Sequence, residues 1–256
     1  MFKFRFNSKR RRGETLADNK CLPSWKLQKI SSNMALQEAR ITVWSSSRAP
    51  DQNTYQVVGQ LMDNSDVICI LDARIPSAGR QAFRNAVLNG HATWHIMFTQ
   101  IVVNWTLHQF GGVFLYDTTS PVGAILESER LTGRLVLEEF TPWSYVMRIT
   151  VTNLALNAVI LAVWLPTPTT TTGGAVRRDA TMAALNLAMG QVPPTHEPIL
   201  CVHVNAPQPV DLAPASAAFH YAQARQAWLQ FQTQHQLVDV WRQQHPVSIE
   251  NTTYQT

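Results

Sequence analysis

The sequence predicts an α+β fold: an antiparallel sheet packed with two or three helices, a disordered basic N-terminal arm, and a C-terminal amphipathic helix. Three observations carry that expectation. The opening segment MFKFRFNSKRRR is dense in Lys and Arg and has no acid, so it repels itself and has little to fold around. From Trp94 to Leu165 apolar residues recur at a period of two in several adjacent runs, the pattern of strands joined by short turns. From Ala215 to Gln244 the residues Ala217, Tyr221, Ala224, Trp228, Phe231, His235, Val238 and Trp241 recur at steps of three and four. That spacing is one apolar stripe along a helix.

In chain order, residues 1–30 read as the basic arm and its neck, and 31–165 as the α+β core domain. EARITVW (Glu38 to Trp44) alternates as a strand does, and Asn53 is the expected cap of a short helix through TYQVVGQLMDN. DVICIL is a short run apolar on both faces. Pro76 and Ser77 start a second helix that Gly90 stops. Its Arg80 and Arg84 form a basic pair expected in solvent. WHIMFTQIVVNWT, GVFLY, GRLVLEEF and WSYVMRITVTN follow as strands. The last sets Trp143, Tyr145, Met147, Ile149 and Val151 on one face against Ser144, Arg148, Thr150 and Thr152 on the other. PTPTTTTGG (166–174) is a linker loop. Residues 175–256 form a helical extension packing on the core, in which Asp179 caps a short helix and PILCVHV is a strand.

The totals restrict function. Charged residues make up 15% of the 256, against roughly 25% in an average domain. The surface is therefore rich in Thr, Ser, Asn and Gln, which favours self-association. The whole chain carries +4, and Lys3, Arg5, Lys9, Arg10, Arg11 and Arg12 exceed that alone, so the body is net negative. All five lysines fall within the first 29 positions. An odd, scattered set of Cys21, Cys69 and Cys201 argues against a disulfide framework and for a reducing compartment. LALNAVILAVWL (Leu154 to Leu165) is too short for a membrane span, which needs about 20 residues, and no secretory signal is expected at the N-terminus.

No motif for a nucleotide, a metal or a nucleophile stands out. Cys201 and His203 share a strand face without a second ligand pair. His91 and His95 straddle the end of a helix. Glu127, Glu138 and Glu139 beside Arg134 read as a solvated edge. The expectation is no enzyme, no catalytic residue, no metal and no cofactor. Function then lies in surfaces. Lys3, Arg5 and Lys9 to Arg12 are candidates for membrane or phosphate binding or for nuclear import, each basic residue adding about 1 kcal/mol at an anionic membrane. Phe2, Phe4 and Phe6 are candidate interfacial aromatics, equally suited to stack on bases. Tyr221, Trp228, Phe231 and Trp241 form a possible partner face.

The order of ITVWSSSRAPDQ, PSAGRQAFRNAVLNG, TWHIMFTQIVVNW and LTGRLVLEEF behind a basic arm resembles rhabdovirus matrix proteins over residues 38–152. The late motifs PPxY and PTAP are missing, and PPTH at Pro193 to His196 lacks the tyrosine. KRRR (Lys9 to Arg12) without a late motif suits the plant-infecting, nucleus-replicating members. The resemblance implies a non-enzymatic structural protein of the virion. It would condense the viral nucleoprotein–RNA complex and bridge it to an anionic membrane by its arm and by self-contacts. The viral glycoprotein and a host nuclear import receptor are further partners. Its places would be beneath the envelope and, as a peripheral membrane protein, in the host nucleus and cytoplasm. DVICILDARI is similar instead to the apolar run before an Asp, here Asp72 with Arg74 two residues on, in plant-virus movement proteins of the 30K type. A nucleic-acid-binding module is the third reading.

Overall fold

The computed structural model describes residues 2–7, 24–29, 39–46, 50–99, 102–103, 109–140, 145–153, 157–166, 172–203 and 218–237. It begins with β1 (Phe2–Asn7), β2 (Ser24–Lys29) and β3 (Ala39–Ser45), then α1 (Gln52–Met62) and β4 (Val67–Leu71). A single 3-10 turn, Ser77–Gly79, leads into α2 (Arg80–Leu88), followed by β5 (Trp94–Phe98), β6 (Val102–Val103), β7 (Gln109–Phe110) and β8 (Val113–Asp117). The second half holds α3 (Pro121–Leu131), β9 (Leu135–Glu139), β10 (Val146–Thr152), β11 (Asn157–Trp164), α4 (Thr172–Gly190), β12 (Glu197–His203) and α5 (Ala218–Gln234).

These strands make two principal sheets, not the single antiparallel one expected. One has six strands in the order β1-β2-β3-β4-β8-β5, the other four in the order β12-β11-β10-β9, and β6 and β7 pair apart. Both principal sheets are mixed, because β3 runs parallel to β4 and β11 parallel to β12. Parallel neighbours need a long crossover, and α1 and α4 supply the two. Part of the expected disordered arm lies in strands, with Phe4 opposite Leu27 and Arg5 opposite Lys26.

The two sheets pack face to face. Ile41, Val43, Cys69, Leu71 and Phe114 from the first meet Met147, Ile149, Val151, Ile160 and Cys201 from the second. The outer face of the first sheet is covered by α1 and α2 through Val58, Leu61, Phe83 and Val87, against Trp44, Ile68, Ile70 and Leu115. The outer face of the second is covered by α4 and α5 through Leu185, Ala188, Trp228 and Phe231, against Val146, Val159, Leu161 and Val163. The result is four layers, helices outside and sheets inside. A strand in an inner layer is apolar on both faces, which is why every residue of β4 (VICIL) is buried.

Helix ends follow local chemistry. Asp51, not Asn53, caps α1, closing a reciprocal box with Thr54 (2.8 Å from Thr54 N to Asp51 Oδ1, 3.2 Å from Asp51 N to Thr54 Oγ1). At α3 the hydroxyl of Ser120 accepts from Gly123 N at 3.0 Å, with Pro121 in the first turn. Gly123 has to be glycine, since a Cβ there would lie 1.7 Å from Asp117 O. The start of α4 takes in Thr172 and Gly174 from the predicted linker.

The register sorts the strand termini into two ends of the sandwich. Ile70 pairs with Val113, Phe98 with Val113, Glu139 with Met147, Val146 with Val163, and Trp164 with His203. The last residues of β3, β4, β5, β9, β11 and β12 therefore share one end, called here the Asp72 end. The opposite end carries Asp66, Tyr116, Glu127 and Glu129.

Candidate functional site

At the Asp72 end the chain leaves β4 in an unusual conformation. Asp72 and Arg74 both have positive φ, 50° and 48°, a region costing a non-glycine residue about 1–3 kcal/mol. The turn is pinned on both sides. Ala73 N donates to Gly111 O at 2.9 Å, Ser46 N donates to Leu71 O at 3.2 Å, and the Ser46 hydroxyl reaches Asp72 O at 3.4 Å. Backbone strain that neighbours hold in place is typical of working sites.

The turn buries a carboxylate under an exposed guanidinium. Arg74 grips Asp72 with both arms of its fork, Nε to Oδ1 at 3.0 Å and Nη2 to Oδ2 at 3.1 Å. The Asp72 side chain is 1% exposed and the Arg74 side chain 42%. Burial pushes the Asp72 carboxyl above its ordinary range, and Arg74 and Arg177 only partly offset it. From the second sheet Tyr145, 3% exposed, stands just before β10. Burial, then the Asp72 charge, pushes its phenol up to about 12, while Arg177 and Arg74 act the other way and Arg177 also hydrogen-bonds it. Tyr145 is thus a neutral hydroxyl at pH 7. Its ring meets Trp164 edge-on, 4.7 Å between centroids at 67°, which fixes its direction. Arg178, 5% exposed, ties α4 to the end of β11 through Pro166 O at 2.7 Å.

Beside this group, Glu139 closes the gap between the sheets. It accepts from Gly112 N at 2.7 Å and contacts the Thr99 hydroxyl, which itself accepts from Gly112 N at 2.7 Å. A Cβ on Gly112 would lie 2.2 Å from Met147 Cε and 3.1 Å from Glu139 Oε1, so any side chain here makes the Met147 tip and the Glu139 carboxylate move aside. Glu139 is therefore part of the inter-sheet contact, not of a solvated edge. Glu138 is ion-paired with Arg148 (Nε to Oε2, 2.7 Å).

Chemically, the Asp72 end offers one raised carboxyl, two guanidinium groups (Arg74 and Arg177), and a phenol donor. The N-termini of α1, α2 and α4 lie at the same end and add partial positive charge. Guanidinium forks and hydroxyl donors match the oxygens of a phosphoryl or carboxylate group. Among the described residues no three His, Cys, Asp or Glu gather as metal ligands.

The residues singled out from the sequence fall elsewhere. Phe2, Lys3, Phe4, Arg5 and Phe6 lie in β1, and Lys9 to Arg12 lie outside the described residues. Tyr221, Trp228 and Phe231 lie in α5, with Trp228 and Phe231 buried against the second sheet, and Trp241 is outside the described residues. Cys201 is buried between the sheets. Arg80 and Arg84 are not simply solvated: they reach Thr99 O at 2.6 Å and Ile96 O at 3.2 Å. Asp72 and Arg74 stand out in the sequence only through the movement-protein motif. From sequence alone Tyr145 is a strand-face residue and Arg177 carries no signal, because nothing local links either to Asp72.

No protein-family model and no curated protein matches the chain. Among solved structures, a 3′ phosphatase, NExo, from Neisseria bound to product DNA hairpin is similar over 75% of this chain and 70% of its own, with 16% identity and a TM-score of 0.48. An endonuclease/exonuclease/phosphatase family protein from Leptotrichia buccalis is similar over 74% of this chain and 71% of its own, with 10% identity and a TM-score of 0.45. These structures belong to nuclease and phosphatase enzymes, not to viral matrix proteins. The expectation of a non-enzymatic matrix protein of the virion, with its movement-protein and nucleic-acid-module alternatives, is corrected on that finding.

Proposed function

We propose that the chain binds a phosphate ester at the Asp72 end, with Arg74 and Arg177 holding the phosphoryl oxygens and Tyr145 donating a further hydrogen bond. The observation that carries this reading is the buried Asp72–Arg74 pair in a strained, non-glycine turn, faced across the sheets by Tyr145 and Arg177. Asp72 holds the Arg74 fork in place and competes with the ligand for it. Protonating Asp72 removes the competing charge, so affinity rises as pH falls through its raised pKa.

Calorimetric titration with inorganic phosphate and with phenyl phosphate at pH 7 tests the reading. Arg177→Gln and Arg74→Gln are expected to weaken binding about tenfold each, the value of one charge-assisted contact. Asp72→Asn is expected to strengthen it, and asparagine tolerates the left-handed backbone there. Equal affinity in the parent and both arginine variants would overturn the proposal, as would weaker binding in Asp72→Asn with an unchanged fold.

A further inference from the structure

A second basic feature sits where the first sheet ends. β5 is its edge strand, and an edge presents unpaired backbone groups. Arg80 and Arg84, one turn apart on α2, lie over that edge. Arg80 Nη2 donates to Thr99 O at 2.6 Å and Arg84 Nη2 to Ile96 O at 3.2 Å. Both guanidinium carbons lie over the Phe98 ring, 5.0 Å and 5.8 Å from its centre.

Covering the edge accounts for the Nη2 contacts and the stacking. It does not account for the rest of the two forks. The Nε of Arg80 and the Nε of Arg84 are both buried with no hydrogen-bond partner, and a buried donor left unsatisfied is costly to the fold. Two such donors side by side, on cations held flat against one ring, match the oxygens of an anion. β5 and β4 are separated only by β8, so the strands that carry the two basic features run two strand spacings apart, about 10 Å between backbones. Hydrogen bonds bridge the interval: Arg80 to Thr99, Thr99 to Gly112, and Gly111 to Ala73.

From this geometry we infer that Arg80, Arg84 and Phe98 form a second anion subsite, and that the ligand of the Asp72 end carries two phosphoryl groups about a sugar's length apart. The inference rests on the phosphate-ester reading above and adds the class of ester. One phosphoryl group lies at Arg74 and Arg177, the other at Arg80 and Arg84.

The test compares three probes by calorimetry on the full chain: inorganic phosphate, fructose phosphorylated at one end, and fructose phosphorylated at both ends. The bisphosphate is expected to bind at least about tenfold tighter than the monophosphate. In the double variant Arg80→Gln/Arg84→Gln that preference is expected to vanish, with the affinity for inorganic phosphate unchanged. Arg84→Lys keeps the charge but loses Nε and the fork, so it is expected to lose most of the preference even if the double variant folds poorly. A preference that survives in Arg84→Lys and in the double variant would overturn the inference. So would a parent protein that binds inorganic phosphate yet shows no preference for the bisphosphate, and the phosphate-ester reading would then stand alone. If inorganic phosphate and both sugars fail to bind the parent, both readings fall together.

Discussion

The two ends of the sandwich treat their carboxylates in opposite ways. At the Glu127 end, Arg130 holds Glu127 at 2.6 Å and 2.9 Å, and Tyr116 adds a hydroxyl bond at 2.6 Å. The Arg130 hydrogen bonds, helped by Tyr116, hold the Glu127 carboxyl down to about 2. Glu129 is gripped by Arg134 at 2.7 Å and by Asn153 at 2.7 Å, and is likewise lowered, Arg134 contributing most. Asp66 takes Arg40 from side chain and backbone, at 2.9 Å and 2.6 Å. These acids are paired where they stand, and their contacts join α3 to β8, to the residue before β9 and the residue after β10, and β3 to the start of β4. At the Asp72 end the carboxyl is raised instead of lowered, although it too has an arginine, because burial outweighs the pairing. Favourable pairing of the first kind stabilises a fold. A buried, raised carboxyl is costly to the fold, and the arginines beside it are useful to a ligand.

Glycine substitutions sharpen the contrast most. Gly123→Ala places its Cβ 1.7 Å from the backbone oxygen of Asp117 at the end of β8, an obstacle that cannot move aside. A loss of about 3 kcal/mol or more is expected by chemical denaturation. Gly112→Ala meets the flexible tip of Met147 at 2.2 Å, so a smaller loss of about 1–3 kcal/mol is expected, with disturbed phosphate binding because Glu139 must shift. Equal losses at the two glycines would dissolve the distinction between a structural end and an adaptable one.

Acid titration gives the next effect. Glu127 is held below its ordinary 4.5 in the folded protein, so its contribution is complete above that value and is lost as pH falls from 4.5 toward 2. Glu127→Gln should flatten that part of the stability profile, and an unchanged acid slope would show that the pair contributes nothing. The smallest effect has the opposite sign. The folded Asp72 carboxyl binds its proton more tightly than the unfolded one, so parent stability falls as pH rises through and beyond the ordinary carboxylate range. Asp72→Asn removes that decline and should melt at or above the parent's temperature at pH 7. A clearly lower Tm would mean that the Asp72–Arg74 pair is structural.

How far the sequence foretold this molecule depends on which contacts are local. The α1 and α2 helices were legible from periodicity and stop signals, though the cap of α1 was placed on Asn53 instead of Asp51. α3 is not among the expected elements even though Ser120-Pro121 is a good helix start, and its Glu127 is expected at a solvated edge. DVICIL was seen to be apolar on both faces, yet the reason, a second sheet on one side and helices on the other, is a long-range fact. The parallel pairings of β3 with β4 and of β11 with β12 are long-range in the same way. The site followed the same rule. Asp72 and Arg74 are close in sequence and legible as one motif, while Tyr145 and Arg177 reach them only through the packing of one sheet on the other. The basic arm dominates the charge pattern of the sequence, whereas at the Asp72 end the charges are few and converge only through the fold.

The most direct test of the contrast is to map bound phosphate by backbone amide chemical shifts. On addition of inorganic phosphate, the account predicts concentration-dependent shifts at Ser46, Asp72, Ala73, Arg74, Tyr145 and Arg177, with Glu127, Glu129 and Arg130 unmoved. Shifts centred on the Glu127 end, or none at the Asp72 end, would contradict it.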